Sequence, residues 1–153
     1  GEGTPTILTL SLSPNTPLLS YPYSSGLYGE ALSISPSSEN HRGANISHCT
    51  ISPALPTGLV LSSSTCIISG TPTAAVGQTN YTITASNSAG SRTSTLSLTI
   101  GPNTPIIESF SGSSTGSYGT PMSISASINT RGANLSNCTI SPALPEGLSL
   151  NSL

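Results

Sequence analysis

Residues 49–73 read CTISPALPTGLVLSSSTCIISGTPT, and the first part of that stretch returns almost letter for letter as CTISPALPEGLSLNSL over residues 138–153. Cys49 thus recurs as Cys138, 89 positions on. Self-similarity at such a spacing is the mark of a tandem array, in which each copy is one folded unit laid against the next. Within the stretch, Leu55, Leu59 and Leu61 flank Pro56 and Gly58, residues that set turns, so the run predicts strand, turn, strand. Cys49 shares parity with Ile51, and Cys66 with Ile68. Alternate residues of a strand face one way, so both cysteines are expected to point inward. A bridge between them is the natural reading, and two buried free thiols are the bland alternative. A bridge would close a loop of about 17 residues and add about 3 kcal/mol by restricting the unfolded chain. That is a large share of a small domain's stability.

Outside this stretch, Tyr81, Ile83 and Ala85 alternate with polar residues, as do Leu96, Leu98 and Ile100. Ser and Thr make up about a third of the 153 residues, a composition shared by disordered, O-glycosylated stalks. Sustained alternation argues against a stalk and for a sheet protein whose hydroxyls lie on outward faces and in turns. Charge is sparse: three arginines (Arg42, Arg92, Arg131) against five glutamates, with no lysine or aspartate. No basic face can be assembled to displace counterions from phosphates, which excludes nucleic acid as a partner. No apolar run approaches the length needed to cross a bilayer, so membrane insertion is not expected, and no signal peptide is visible.

Taken in order, Ile7, Leu8, Leu10 and Leu12 lie in an alternating run, ILTLSLS, that precedes the first whole repeat. Its end, LTLSLSPNTP, matches STLSLTIGPNTP at 94–105, where the same pattern closes the whole repeat. Residues 1–13 therefore read as the terminal strand of a preceding repeat, or as a strand donated to a neighbouring molecule's sheet edge. The sequence PNTP at 14–17 and again at 102–105 reads as a joint stiffened by its prolines. The divisions that follow are 14–101 for a complete unit and 102–153 for the first half of a second. Strands are predicted over 18–23, 31–35, 45–52, 58–61, 65–69, 78–86 and 91–100, with SNSAG at 86–90 as a hairpin turn whose Asn and Gly can take positive φ. By the repeat offset, the partner of Cys138 would fall beyond Leu153 or in another chain.

The pieces LPTGLVL (55–61), CIISGTPT (66–73), NYTITASNSAG (80–90) and TLSLTI (95–100) together resemble the immunoglobulin-like He-PIG repeats of bacterial extracellular and surface proteins. The resemblance covers nearly the whole chain. It implies an all-β fold of tandem immunoglobulin-like sandwiches, one complete and one partial, used as spacers or adhesive modules, and it brings no catalytic residues. The chain departs from the family's usual pattern at Cys66, where glycine is common, and Cys49 offers that change a partner.

Chemistry-bearing constellations are few. His41 and His48 lack the carboxylate or thiol support a metal would need, and the scattered glutamates do not make a calcium site. No nucleophile elbow or oriented Ser-His-acid set is present, so neither a catalytic residue nor a cofactor is expected. Asn45, Asn80, Asn134 and Asn137 head N-x-S/T sequons, and Asn45 and Asn134 occupy equivalent places in GANIS and GANLS, which makes covalent glycans a candidate modification. Tyr21, Tyr23 and Tyr28 cluster near the start of the complete unit, either capping the core or stacking on a sugar. The functional expectation is a structural subunit of an extracellular or cell-surface array that contacts copies of itself head to tail. A surface adhesin or glycan-binding module is the alternative, and a non-catalytic module attached to an extracellular enzyme a third.

Overall fold

The computed structural model describes residues 11–151, all of them in strands, turns and loops. Ile7, Leu8 and Leu10 lie outside the described residues, and Leu12, the last of that run, is 90% exposed. Eleven strands are defined: β1 (Leu18–Ser20), β2 (Ser24–Leu27), β3 (Leu32–Ile34), β4 (Ser38–Asn40), β5 (His48–Ser52), β6 (Leu59–Leu61), β7 (Ile68–Gly70), β8 (Val76–Asn87), β9 (Gly90–Gly101), β10 (Ile106–Gly112) and β11 (Ile124–Asn129).

Two sheets face each other. One has the order β2-β9-β8-β5 and the other β3-β7-β6, with β1-β4 as a short pair beside them. The inward rows come from period-2 patterning. On β8, Tyr81, Ile83 and Ala85 are buried, and on β9 so are Leu96, Leu98 and Ile100. They meet Ile34, Leu59 and Ile68 from the opposite sheet to form the main core. A second cluster of Leu19, Cys49, Cys66 and Ala85 closes one end, and Tyr21 and Leu61 touch both clusters. The result is the aligned sandwich typical of immunoglobulin-like domains.

The first strand is split between layers. Leu19 pairs with Glu39 of β4, whereas Ser24 pairs in parallel with Leu98 of β9. Pro22, with no N–H to donate, stands at the switch. Sequence patterning ran the first strand over 18–23, beyond the end of β1, and missed both β2 and β4. Each is three or four residues long, too short to display a period.

Three further expectations are corrected. Leu55 is in no strand: only Leu59–Leu61 forms one, and the preceding residues carry the chain from one sheet to the other. The strand predicted over 65–69 is Ile68–Gly70, and Cys66 sits ahead of it at φ 56°. At the β8–β9 hairpin, Gly90 takes positive φ (130°), but Asn87 does not. Asn87 is buried instead, as a strand residue.

Gly58 and Gly70 stand where two segments approach closely. Their φ values are 92° and 137°, and a Cβ on either would run into the other segment's backbone, at Thr71 O and Gly58 O. Thr71 N–H donates to Gly58 C=O at 3.0 Å across this gap. Only residues without a side chain allow so close an approach at such angles.

Candidate functional site

The surroundings of Cys49 and Cys66 show how the chain is stapled. Their Cα atoms are 5.5 Å apart, within the range a disulfide requires, and the two are bonded. Cys49 lies on β5 opposite Ala85, whose small side chain leaves room for the bridge. Cys66 lies on the turn leading into β7, so the bond joins one layer to the other. That turn is closed by Cys66 N–H donating to Ser62 C=O at 3.0 Å and Ser62 N–H donating to Ile67 C=O at 2.8 Å. A left-handed conformation is one that glycine takes freely; here a cysteine bears it and gains a covalent partner. Cys138 is a free, half-buried thiol.

Tyr21 completes this end. Its hydroxyl donates to Cys66 C=O at 2.7 Å, and burial, with the Glu39 carboxylate adding to it, pushes the phenol up to about 12. The ring is therefore part of the core rather than a platform. Tyr23 is 61% exposed, with its hydroxyl 3.2 Å from Thr99 Oγ1. Tyr28 is half-buried and matters through its backbone, described below.

At the β4–β5 loop, His41 lies between Glu39 and Asn45: its Nε2 meets Glu39 Oε1, and its Nδ1 is 3.2 Å from Asn45 Oδ1. The Glu39 bond first, and the Asn45 bond second, raise the imidazole's pKa above that of a free histidine. The loop is anchored from below by Asn87, whose Nδ2 donates to the carbonyls of Asn15 (2.8 Å), His41 (3.2 Å) and Ala44 (3.3 Å). Its Oδ1 accepts Ala89 N–H at 2.9 Å, so this buried amide is fully employed. Sequence reading took Asn87 for a turn former and had no means of seeing partners 43 to 72 positions away.

The second PNTP segment lies at a contact between chain regions. Asn103 Nδ2 donates to Tyr28 C=O at 3.1 Å and to Glu30 Oε1 at 3.0 Å. Arg131 Nη2 donates to the same carbonyl at 3.1 Å and lies 3.4 Å from the same carboxylate oxygen. Gly132 packs against Ala75, where a Cβ would come within 2.8 Å of the alanine methyl. The Tyr28–Glu30 turn is itself held in place: Gly29 N–H donates to Pro72 C=O at 2.8 Å and Tyr28 N–H to Gly101 C=O at 2.9 Å. The prolines were expected to stiffen the joint; the side chain between them and a loop arginine also make bonds across it.

Of the sequon asparagines, Asn45, Asn80, Asn134 and Asn137 are all exposed. Among the described residues, no three His, Cys, Asp or Glu side chains converge. Two concavities lie along Ser113–Ser123 and between that segment and Pro145–Leu148, and Glu146 is the one charged residue lining them. No helix of the described residues is long and apolar enough to cross a membrane.

Several solved structures are similar. A "putative alpha-galactosidase" from Bacteroides fragilis is 25% identical, with a TM-score of 0.47, over 63% of this chain and 21% of its own. A SusE-like surface located polysaccharide binding protein from Bacteroides thetaiotaomicron is 22% identical, with a TM-score of 0.46, over 60% of this chain and 16% of its own. The titin domains z1z2, in complex with telethonin, are 14% identical, with a TM-score of 0.41, over 64% of this chain and 55% of their own. The chain spans about a fifth of the length of the first of these. No curated protein matches it. The He_PIG family model, described as "Putative Ig domain", matches residues 4–101, the span that holds both facing sheets, and the chain belongs to this family of immunoglobulin-like domains.

Proposed function

We propose that this chain is a non-enzymatic structural segment of an extracellular or cell-surface array of immunoglobulin-like units. The units run head to tail: residues 1–13 end a preceding unit or act as a donated strand, 14–101 form a whole unit, and 102–153 begin the next. The observation that supports this reading best is the contact of Asn103 and Arg131 with Tyr28 and Glu30, which holds the second PNTP segment against the Tyr28–Glu30 turn. A covalent bridge suits an oxidising compartment. A surface with so few charges suits a protein kept soluble by hydroxyls and by covalent glycans at Asn45, Asn80, Asn134 and Asn137. A glycan-binding role would fall on Tyr23 among the three clustered tyrosines, since Tyr21 is committed to the core.

Antibody labelling of intact, unpermeabilised cells that make the protein tests the array reading. Dense label at the outer surface, removed by external protease, is the expected result. Label that appears only after the cells are opened would sink it.

A further inference from the structure

Asn45 heads the sequon Asn45-Ile46-Ser47, and the folded unit treats its three residues differently. The asparagine is exposed in the loop that leads into β5, with its Oδ1 3.2 Å from His41 Nδ1 and its Nδ2 without a partner among the described residues. The amide nitrogen, the atom that takes a sugar, is thus free to carry one in the folded state. The other two residues are taken. Ile46 packs against the buried cluster of Leu19, Cys49, Cys66 and Ala85. Ser47 gives both its donors to one acceptor: its N–H reaches Ser86 C=O at 2.8 Å, and its Oγ reaches the same oxygen at 3.1 Å.

That division matters because a sequon is read as well as modified. The motif demands a hydroxyl two residues beyond the asparagine, so a transferase must bind that hydroxyl. It refuses proline between the two, so the backbone there must take a shape that a fixed φ or a missing N–H forbids. In the folded unit the hydroxyl is held by Ser86, and the intervening side chain is packed beside the disulfide. Freeing them means lifting residues 45–47 off β8 and withdrawing Ile46 from the cluster that contains the Cys49–Cys66 bond. Asn80 is further from reach: its middle residue, Tyr81, is 3% exposed in the core, and Thr82 sits in mid-sheet between Ser52 and Thr95.

We propose that Asn45 is an N-glycosylation site filled before the unit folds: transfer from a lipid-linked oligosaccharide diphosphate comes first, and docking of residues 45–47 with closure of the Cys49–Cys66 bond comes second. In the transfer, Asn45 Nδ2 forms a bond to the anomeric carbon of the sugar as that carbon's bond to the donor's phosphate oxygen breaks. The diphosphate leaves with the electron pair, and one amide proton passes to a base of the transferase. The finished sugar projects from the loop, and no bond of the fold is lost to it. This rests on the reading that the sequon asparagines bear glycans and adds an order of events to it.

A chain carrying Asn80→Gln, Asn134→Gln and Asn137→Gln keeps Asn45 as its one sequon. It is offered to a purified oligosaccharyltransferase with a lipid-linked oligosaccharide donor, and intact mass reports the added sugar. The chain should be modified at least about tenfold faster when reduced, alkylated and unfolded, as judged by circular dichroism, than when oxidised and folded. A tenfold ratio corresponds to an opening free energy of only about 1.4 kcal/mol for the segment. Ser47→Ala should abolish transfer to the unfolded chain, and Ser47→Thr should retain it. Equal rates for the folded and unfolded chain overturn the order of events and leave Asn45 as a glycan acceptor. An unfolded chain that takes no sugar overturns the site itself. The array reading is decided separately, by the surface labelling above.

Discussion

The two copies of CTISPALPxGL are nearly the same in sequence and differ in structure. In the first, His48–Ser52 is a strand paired with β8, Cys49 is 3% exposed and Leu59 6%. In the second, residues 137–141 form no strand, Ile140 is 51% exposed and Leu148 41%. Local propensity is the same in both. What differs is the facing partner: β8 lies beside the first copy, and no counterpart of β8 lies beside the second among the described residues. Strand formation here is thus decided by what a segment packs against, as expected when β-propensity reflects fit to a half-buried surface. The turn glycines show the opposite behaviour. Gly58 and Gly147 hold φ 92° and 89°, so the turn forms with or without its sheet.

The largest expected effect breaks the comparison at its most buried point. Leu59→Ala should cost about 2–5 kcal/mol by transfer and cavity terms, whereas the equivalent Leu148→Ala should change stability by less than about 0.5 kcal/mol. Urea unfolding of the two variants, followed by circular dichroism, checks this. Equal losses would mean that the second copy is packed as tightly as the first.

Next in size is the bridge. Reducing Cys49–Cys66 should cost about 3 kcal/mol, while Cys138→Ser should leave the midpoint unmoved. Cys66→Gly should be less damaging than Cys66→Ala by about 1 kcal/mol, because glycine takes the left-handed conformation freely. Thermal melts of the variants with and without reductant decide it; Gly and Ala variants of equal stability would show that the backbone at this turn is unstrained.

The smallest effect concerns His41, whose place in the second copy is taken by Thr130. Because Glu39 and Asn45 raise its folded-state pKa, the protonated ring stabilises the fold fully below the ordinary histidine range. That contribution fades as pH rises through the raised value. An NMR titration should show the shift, and Glu39→Gln should return the midpoint towards that of a free histidine. An unshifted ring in the wild type would remove the effect.

Much of this fold was legible in the sequence because its longest strands carry a strict period: Tyr81, Ile83, Ala85 on β8 and Leu96, Leu98, Ile100 on β9. The parity of Cys49 and Cys66 also pointed to a bridge, though Cys66 reaches it from a turn rather than a strand. Segments of three or four residues, β2 and β4, left no periodic trace. The contact of the second PNTP segment with the Tyr28–Glu30 turn was half legible. PNTP marked its place, but the bonds of Arg131 and Asn103 to Tyr28 and Glu30 span 73 to 103 positions and leave no local signal. Asn87 was missed for the same reason.

The parallel pairing of β2 with β9 bears on tension. A strand array is loaded through its ends, here near Asn15 and Gly101, so a pull drags the start of β2 and the finish of β9 in opposite directions along their shared axis. The pairs Ser24↔Leu98 to Leu27↔Gly101 would then be sheared together rather than unzipped one by one. Once they part, the Cys49–Cys66 bond withholds the 17 positions it spans, roughly 60 Å of extended chain, from the lengthening unit. Stretching single chains with and without reductant would show that step as the difference in contour length.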